Sequence, residues 1–150
     1  LEYCLTIQYL KIRRYYNMGN LYEATAINPH DGLIAATFPP ADVFHVKLRK
    51  LSAAATLKRG SLLDLSSGTG GDGKFVIHGT TAEADETLTA NCILAEDTAV
   101  GTEADVIALA YRTGHFVENK LILKEGSSLA AGAKEALRDV GILLSDGVAI

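Results

Sequence analysis

The residues with the clearest chemical potential lie at Gly68-Thr69-Gly70-Gly71-Asp72-Gly73-Lys74, which has the spacing G-x-x-x-x-G-K. In a phosphate-binding loop of that spacing, backbone N–H groups and the lysine surround a nucleotide's phosphates. Two requirements are unmet. Phe75 stands where a Ser or Thr would hold magnesium. The residues that follow alternate like a strand, so no helix N-terminus would face the phosphates. The glycines are read instead as a flexible hairpin tip. The four histidines, His30, His45, His78 and His115, fall in separate segments without the close spacing of zinc ligands, and Cys92 has no ligand neighbour. His45 and His78 are expected on exposed strand faces. Carboxylates gather at Glu83, Asp85 and Glu86, and again at Glu96 and Asp97. Such runs are usually solvated, and no apolar enclosure is evident that would separate their pKa values into an acid and a base. No nucleophile–base pattern suggests acyl or glycosyl transfer. The expectation is a non-enzyme with no cofactor and no metal.

One further cluster carries charge and not catalysis. Lys47, Arg49, Lys50, Lys58 and Arg59 occur with no acid among residues 43–59. It reads either as a solvated face or as a surface that docks onto an acidic protein.

The elements that would position these residues are mostly short strands. Phe44, Val46 and Leu48 alternate with His45, Lys47 and Arg49, which is the period of a half-buried strand. Residues 51–57 read as a loop or a helical turn. Residues 61–78 read as a β-hairpin with a long Gly-rich tip, and residues 81–87 as an acidic loop. Strands are expected over Thr89–Leu94 and Asp105–Arg112. Thr113-Gly114 then breaks the pattern as a bulge or corner before His115-Phe116-Val117. Leu121–Leu123 is short and apolar. Leu129, Ala133, Ala136, Leu137 and Val140 make one stripe of a helix over about Leu129–Asp139, with Ser127 and Ser128 as N-cap candidates. Gly141 suits a left-handed C-terminal cap, and Ile142–Leu144 returns as a strand.

Size and composition fit one globular domain. The chain has 150 residues, 48% apolar and 21% charged, enough to bury a core. A net charge of −4 argues against nucleic acid as a partner. No stretch approaches the ~20 apolar residues of a membrane span. Two cysteines, Cys4 and Cys92, do not make a disulfide framework, and a reducing cytoplasm fits them best. Cys92, within an apolar run, is expected to be a small buried hydrophobe.

Residues 1–17 hold four of the six tyrosines and three basic residues, ahead of the sole methionine, Met18. They are expected to be an over-extended start outside the working fold; a short amphipathic anchor is the rival reading. Residues 18–50, with a turn at Asn28–Gly32 and extended backbone imposed by Phe38-Pro39-Pro40, read as an arm. Residues 51–150 form the β-rich body.

Four segments, in order and spacing, resemble the lambda-type bacteriophage head decoration proteins (the protein D family). They are Leu57-Lys58-Arg59-Gly60-Ser61-Leu62-Leu63, Cys92-Ile93-Leu94-Ala95-Glu96-Asp97, Ala110-Tyr111-Arg112-Thr113-Gly114-His115-Phe116 and Lys134-Glu135-Ala136-Leu137-Arg138-Asp139-Val140-Gly141-Ile142. The resemblance runs from about Asn20 onward; residues 1–17 match nothing in the family pattern. It implies a mainly β (α+β) fold: a compact β-barrel-like body of short strands with one C-terminal helix and an extended N-terminal arm. It also implies homotrimers on the virion, assembled in the host cytoplasm. These would bind the major capsid protein of the expanded icosahedral head and brace it against packaged DNA. The arm, about Gly19 to Leu48, would become ordered on the shell and pair with its strands. Phe44, Val46 and Leu48 are the expected apolar contact face, with Lys47, Arg49 and Lys50 as polar partners. Tyr111, Phe116 and Leu137 are expected in the core. The alternatives are another phage structural module, such as a head fibre base or tail β-module, and a small β-barrel that binds carbohydrate. The absence of Trp counts against the last.

Overall fold

Strands that are apolar on alternate residues must pair so that their apolar faces meet, and a short set of them can do so by closing into a barrel. The computed structural model describes residues 31–146 and shows this closure. All that follows concerns the compact unit beginning at Gly32. Its strands are β1 (Ile34–Ala36), β2 (Asp42–Leu48), β3 (Ala55–Leu57), β4 (Leu62–Ser67), β5 (Phe75–Ile77), β6 (Thr87–Leu94), β7 (Thr98–Val100), β8 (Val106–Val117) and β9 (Ile142–Ser145). Among the described residues one α-helix, α1 (Ala131–Val140), precedes β9, and a short 3-10 turn, Glu118–Lys120, follows β8.

Five strands close the barrel in the order β8-β2-β5-β4-β6, with β6 returning to β8. All neighbours are antiparallel except β2 and β5, which meet at Leu48 and Phe75. The fold is mainly β with one C-terminal helix, as expected. The barrel interior holds Val46, Leu48, Leu63, Phe75, Cys92, Leu94, Ala108 and Ala110. The two-stranded β3–β7 ribbon adds Val100 to this core, with Leu57 packed against it. Residues 55–57 are therefore a strand and not a helical turn.

A second core lies outside the barrel. Leu62, Ala90, Ile93 and Tyr111 point outward and meet Leu33, Phe116, Leu137 and Ile142. Strands β4 and β6 are thus covered on both faces. This is why Leu62-Leu63 and Cys92-Ile93-Leu94 read as continuous apolar runs and not as alternation. Tyr111, Phe116 and Leu137 are buried, as expected. Helix α1 presents Ala133 and Leu137 to this core, and Gly141 caps it in the left-handed region, its N–H donating to the Arg138 and Leu137 carbonyls.

Several expectations need correction. Ser127 and Ser128 do not cap α1; Ala130 holds the N-cap position without a side-chain bond. The Ser127 hydroxyl instead donates to the Lys124 carbonyl, closing a turn that is held to His78, the residue after β5, because Lys124 N–H donates to His78 O. Leu121–Leu123, short and apolar as read, contributes one bridge, Ser61 to Ile122. Strand β8 runs through Thr113-Gly114 for 12 residues, and the register against β2 shifts between Tyr111 and Thr113, opposite Val43 and Asp42, so the bulge reading holds and the break does not. Beyond Gly114 the same strand leaves the barrel and pairs with β1 on one side and β9 on the other. Gly114 has φ 148°, and a Cβ there would lie 2.7 Å from the Phe116 ring, so only glycine lets the strand pass.

Candidate interaction surface

The arm read over residues 18–50 does not extend that far. Residues 1–17 and 18–30 lie outside the described residues, but β2 is a full member of the barrel, hydrogen-bonded to β8 along its length. The expected contact residues divide accordingly. Val46 and Leu48 are 3% and 1% exposed inside the barrel, and Phe44 packs half-buried against the same core. These three cannot serve as an open contact face. The alternation was read with the right period. Its apolar face is inside because β8 and β5 close around it, which no local pattern reveals.

Arg49 is also engaged within the fold. Its guanidinium donates to both Asp72 carboxylate oxygens at 3.0 Å, to the Ser66 hydroxyl at 3.0 Å, and to Glu86. Glu86 additionally accepts from Ser66 and, at 2.9 Å, from the Glu83 N–H. Its side chain is 1% exposed, so this part of the acidic loop is not solvated. Donation from Arg49, then from the Glu83 backbone, holds the Glu86 carboxyl down at about 2. Arg49 likewise holds Asp72 at about 2, and the two acids raise the guanidinium's own pKa. The Gly-rich segment is therefore pinned and not a flexible tip. Gly70 N–H donates to Asp85 O at 2.8 Å, and a Cβ on Gly70 would meet Ala84 O at 2.3 Å. Close backbone approach explains its glycines better than phosphate binding does.

The rest of the basic cluster is distributed around the barrel. Lys58 pairs with Asp97 at 3.3 Å. Arg59 donates its backbone N–H to Asp97 and its guanidinium to Ala95 O and the Tyr111 hydroxyl. The Lys50 backbone N–H donates to Asp105, whose carboxylate also pairs with Lys74 at 2.7 Å. The acids missing from residues 43–59 are supplied by loops distant in sequence. Among the described residues, the Lys47 and Lys50 ammonium groups remain exposed and without an ion pair.

What the fold leaves open is the other face of β2. Val43, His45 and Lys47 point outward and lie opposite Tyr111, Leu109 and Ile107 of β8. Ile107 is 69% exposed, and Val43 is also exposed. Phe38, on the segment between β1 and β2, is the most exposed large apolar side chain among the described residues. The face is bordered by an Arg112–Asp42 ion pair. Ile107 escaped sequence reading because Val106 to Tyr111 is nearly all apolar, so nothing local marks which side is wet. Its cross-strand lysine is the useful signal, and it needs the register to be known.

Other groups are distributed as follows. His45 is exposed as expected, but His78 is not: its Nδ1 lies 2.7 Å from Asp64 Oδ1, with both side chains largely covered. Burial raises the Asp64 pKa, and the His78 contact opposes that rise. Cys92 is fully buried, and burial pushes its thiol pKa up. His115, Glu118, Lys134, Arg138 and all of β9 from Ile142 to Ser145 border an open cleft of about 450 Å³, crossed by a Lys134–Glu118 pair at 2.6 Å. No three His, Cys, Asp or Glu side chains among the described residues are grouped so as to hold a metal.

The sequence matches no protein-family model and no curated protein.

Proposed function

We propose that this chain is a capsid decoration (cement) protein of the lambda-type phage head class. It binds the expanded icosahedral shell as a homotrimer, through the major capsid protein, and stabilises it against the pressure of packaged DNA. One observation carries the reading. The four segments on which the resemblance rests are far apart in sequence, yet they come together in one packed unit. Leu94 and Ser61 exchange backbone bonds through Gly60 N–H to Leu94 O and Leu94 N–H to Ser61 O. Ile93 pairs with Tyr111, and Gly114 N–H donates to Gly141 O. Leu62, Ile93, Tyr111, Phe116, Leu137 and Ile142, at least one from each segment, share the outer core. The resemblance thus falls on one contiguous structural unit and not on scattered surface loops.

On this reading the barrel supplies the body, and the arm implied by the resemblance, whose residues before 31 lie outside the described residues, supplies a segment that would order on the shell. A segment that orders on docking loses entropy, so one copy binds weakly. Three copies in one trimer recover affinity through effective concentration, by a factor of ~100 or more. A protein that binds only the expanded shell stabilises it by its differential affinity for that state. Electron microscopy of expanded heads with and without added protein tests the proposal. Added density at the three-fold positions is expected; its absence at micromolar protein sinks it.

A further inference from the structure

We propose that the open outer face of β2 and β8 docks a protein surface that is apolar at its centre and acidic around it; resting on the reading above, that surface belongs to the shell protein. The barrel's outer faces are not equivalent. Over β4, β6 and the far end of β8, helix α1 and Leu33 complete a second core. Over β2 and the first half of β8 no such layer exists among the described residues, and Val43 and Ile107 face solvent. Ile107 is the directly paired cross-strand neighbour of Lys47, so an apolar and a cationic side chain stand side by side.

Charge identifies the partner. The chain carries −4 overall, yet two of the carboxylates bordering this face are already engaged: Asp42 with Arg112 at 2.6 Å, and Asp105 with Lys74 at 2.7 Å. Lys47 and Lys50 are exposed and in no close ion pair among the described residues, Lys47 reaching Asp105 only by a longer-range attraction, with His45 between the paired positions. An acidic partner is attracted to the exposed Lys47 and Lys50 ammonium groups, which favours docking in this orientation and speeds encounter. The apolar spot is small, so affinity depends on these charges and responds to salt.

The test is a titration of expanded, DNA-free heads by the full chain, read by co-sedimentation. The variants are Lys47→Glu with Lys50→Glu, Ile107→Ser, and, as a control, Lys124→Glu at an exposed lysine in the turn hydrogen-bonded to His78. Each face variant is expected to bind about tenfold more weakly, and the control to bind like the parent. Raising salt from about 50 mM to about 500 mM should weaken the parent more than the double lysine variant. Independently of any variant, Lys47 and Lys50 should lose reactivity to an acylating reagent on the heads while Lys124 keeps it. If the parent binds and neither the variants nor the lysine footprint respond, the docking face is wrong and the decoration reading stands. If the parent ignores the heads, both fall.

Discussion

Arg49 and Glu86 are 37 residues apart in sequence, yet the guanidinium donates directly to a carboxylate that is 1% exposed. Arg49 directly follows β2 and Glu86 directly precedes β6, so the pair ties the ends of two barrel strands together beside the loop at Asp72. Removing the cation leaves a covered acid without its main partner, a costly change. Arg49→Ala is expected to lower Tm by several degrees. Arg49→Ala with Glu86→Gln should recover part of the loss, because the uncompensated charge is gone. Calorimetry of the three proteins checks the order.

The same network makes the fold acid-sensitive. Glu86 and Asp72 are held at about 2, below their ordinary values of 4.5 and 3.8. A lowered folded pKa means the unfolded state binds protons first as pH falls. Their stabilisation is therefore complete above about pH 4.5 and is lost as pH falls from there toward 2. Urea midpoints should drop across that window for the parent and drop less for Arg49→Ala. Equal pH slopes for the two proteins would refute this account.

Leu137 is the buried residue by which α1 seals the outer core. Leu137→Ala is expected to destabilise by about 2–5 kcal/mol, the usual range for a large-to-small change in a packed core. Ala136, on the neighbouring helical position and only half-buried, should tolerate Ser with a much smaller effect. Denaturant titration of both variants checks the contrast.

Gly114→Ala places a methyl group 2.7 Å from the Phe116 ring at φ 148°. A loss of about 1–3 kcal/mol is expected from the backbone strain, and the pairing of β8 with β1 and β9 should loosen. Hydrogen exchange at Phe116 and Val117 would report that loosening ahead of any change at Ala108 or Ala110.

Cys92 should resist thiol reagents in the folded protein, since it is buried and its thiolate is disfavoured. Site-resolved mass spectrometry is expected to find it labelled only at denaturant levels that unfold the barrel. Labelling in native buffer would show an opening that the core packing does not account for.

Much of this protein is determined locally. The period-two pattern of Phe44, Val46 and Leu48, the hairpin of residues 61–78, the stripe through Ala133 and Leu137, and the Gly141 cap all depend on residues a few positions apart. Such features are written in the sequence because side-chain direction repeats every two or 3.6 residues. Tertiary structure alone decided which side of each strand is wet. Val46 and Leu48 became core, and Val43 and Ile107 surface, because β2 closes between β8 and β5. It also decided the partners of Arg49, drawn from Asp72 and Glu86, and it carried β8 on through Gly114 with shifts of register on either side. Those outcomes depend on register between segments tens of residues apart, and a strand's own sequence does not encode its neighbour.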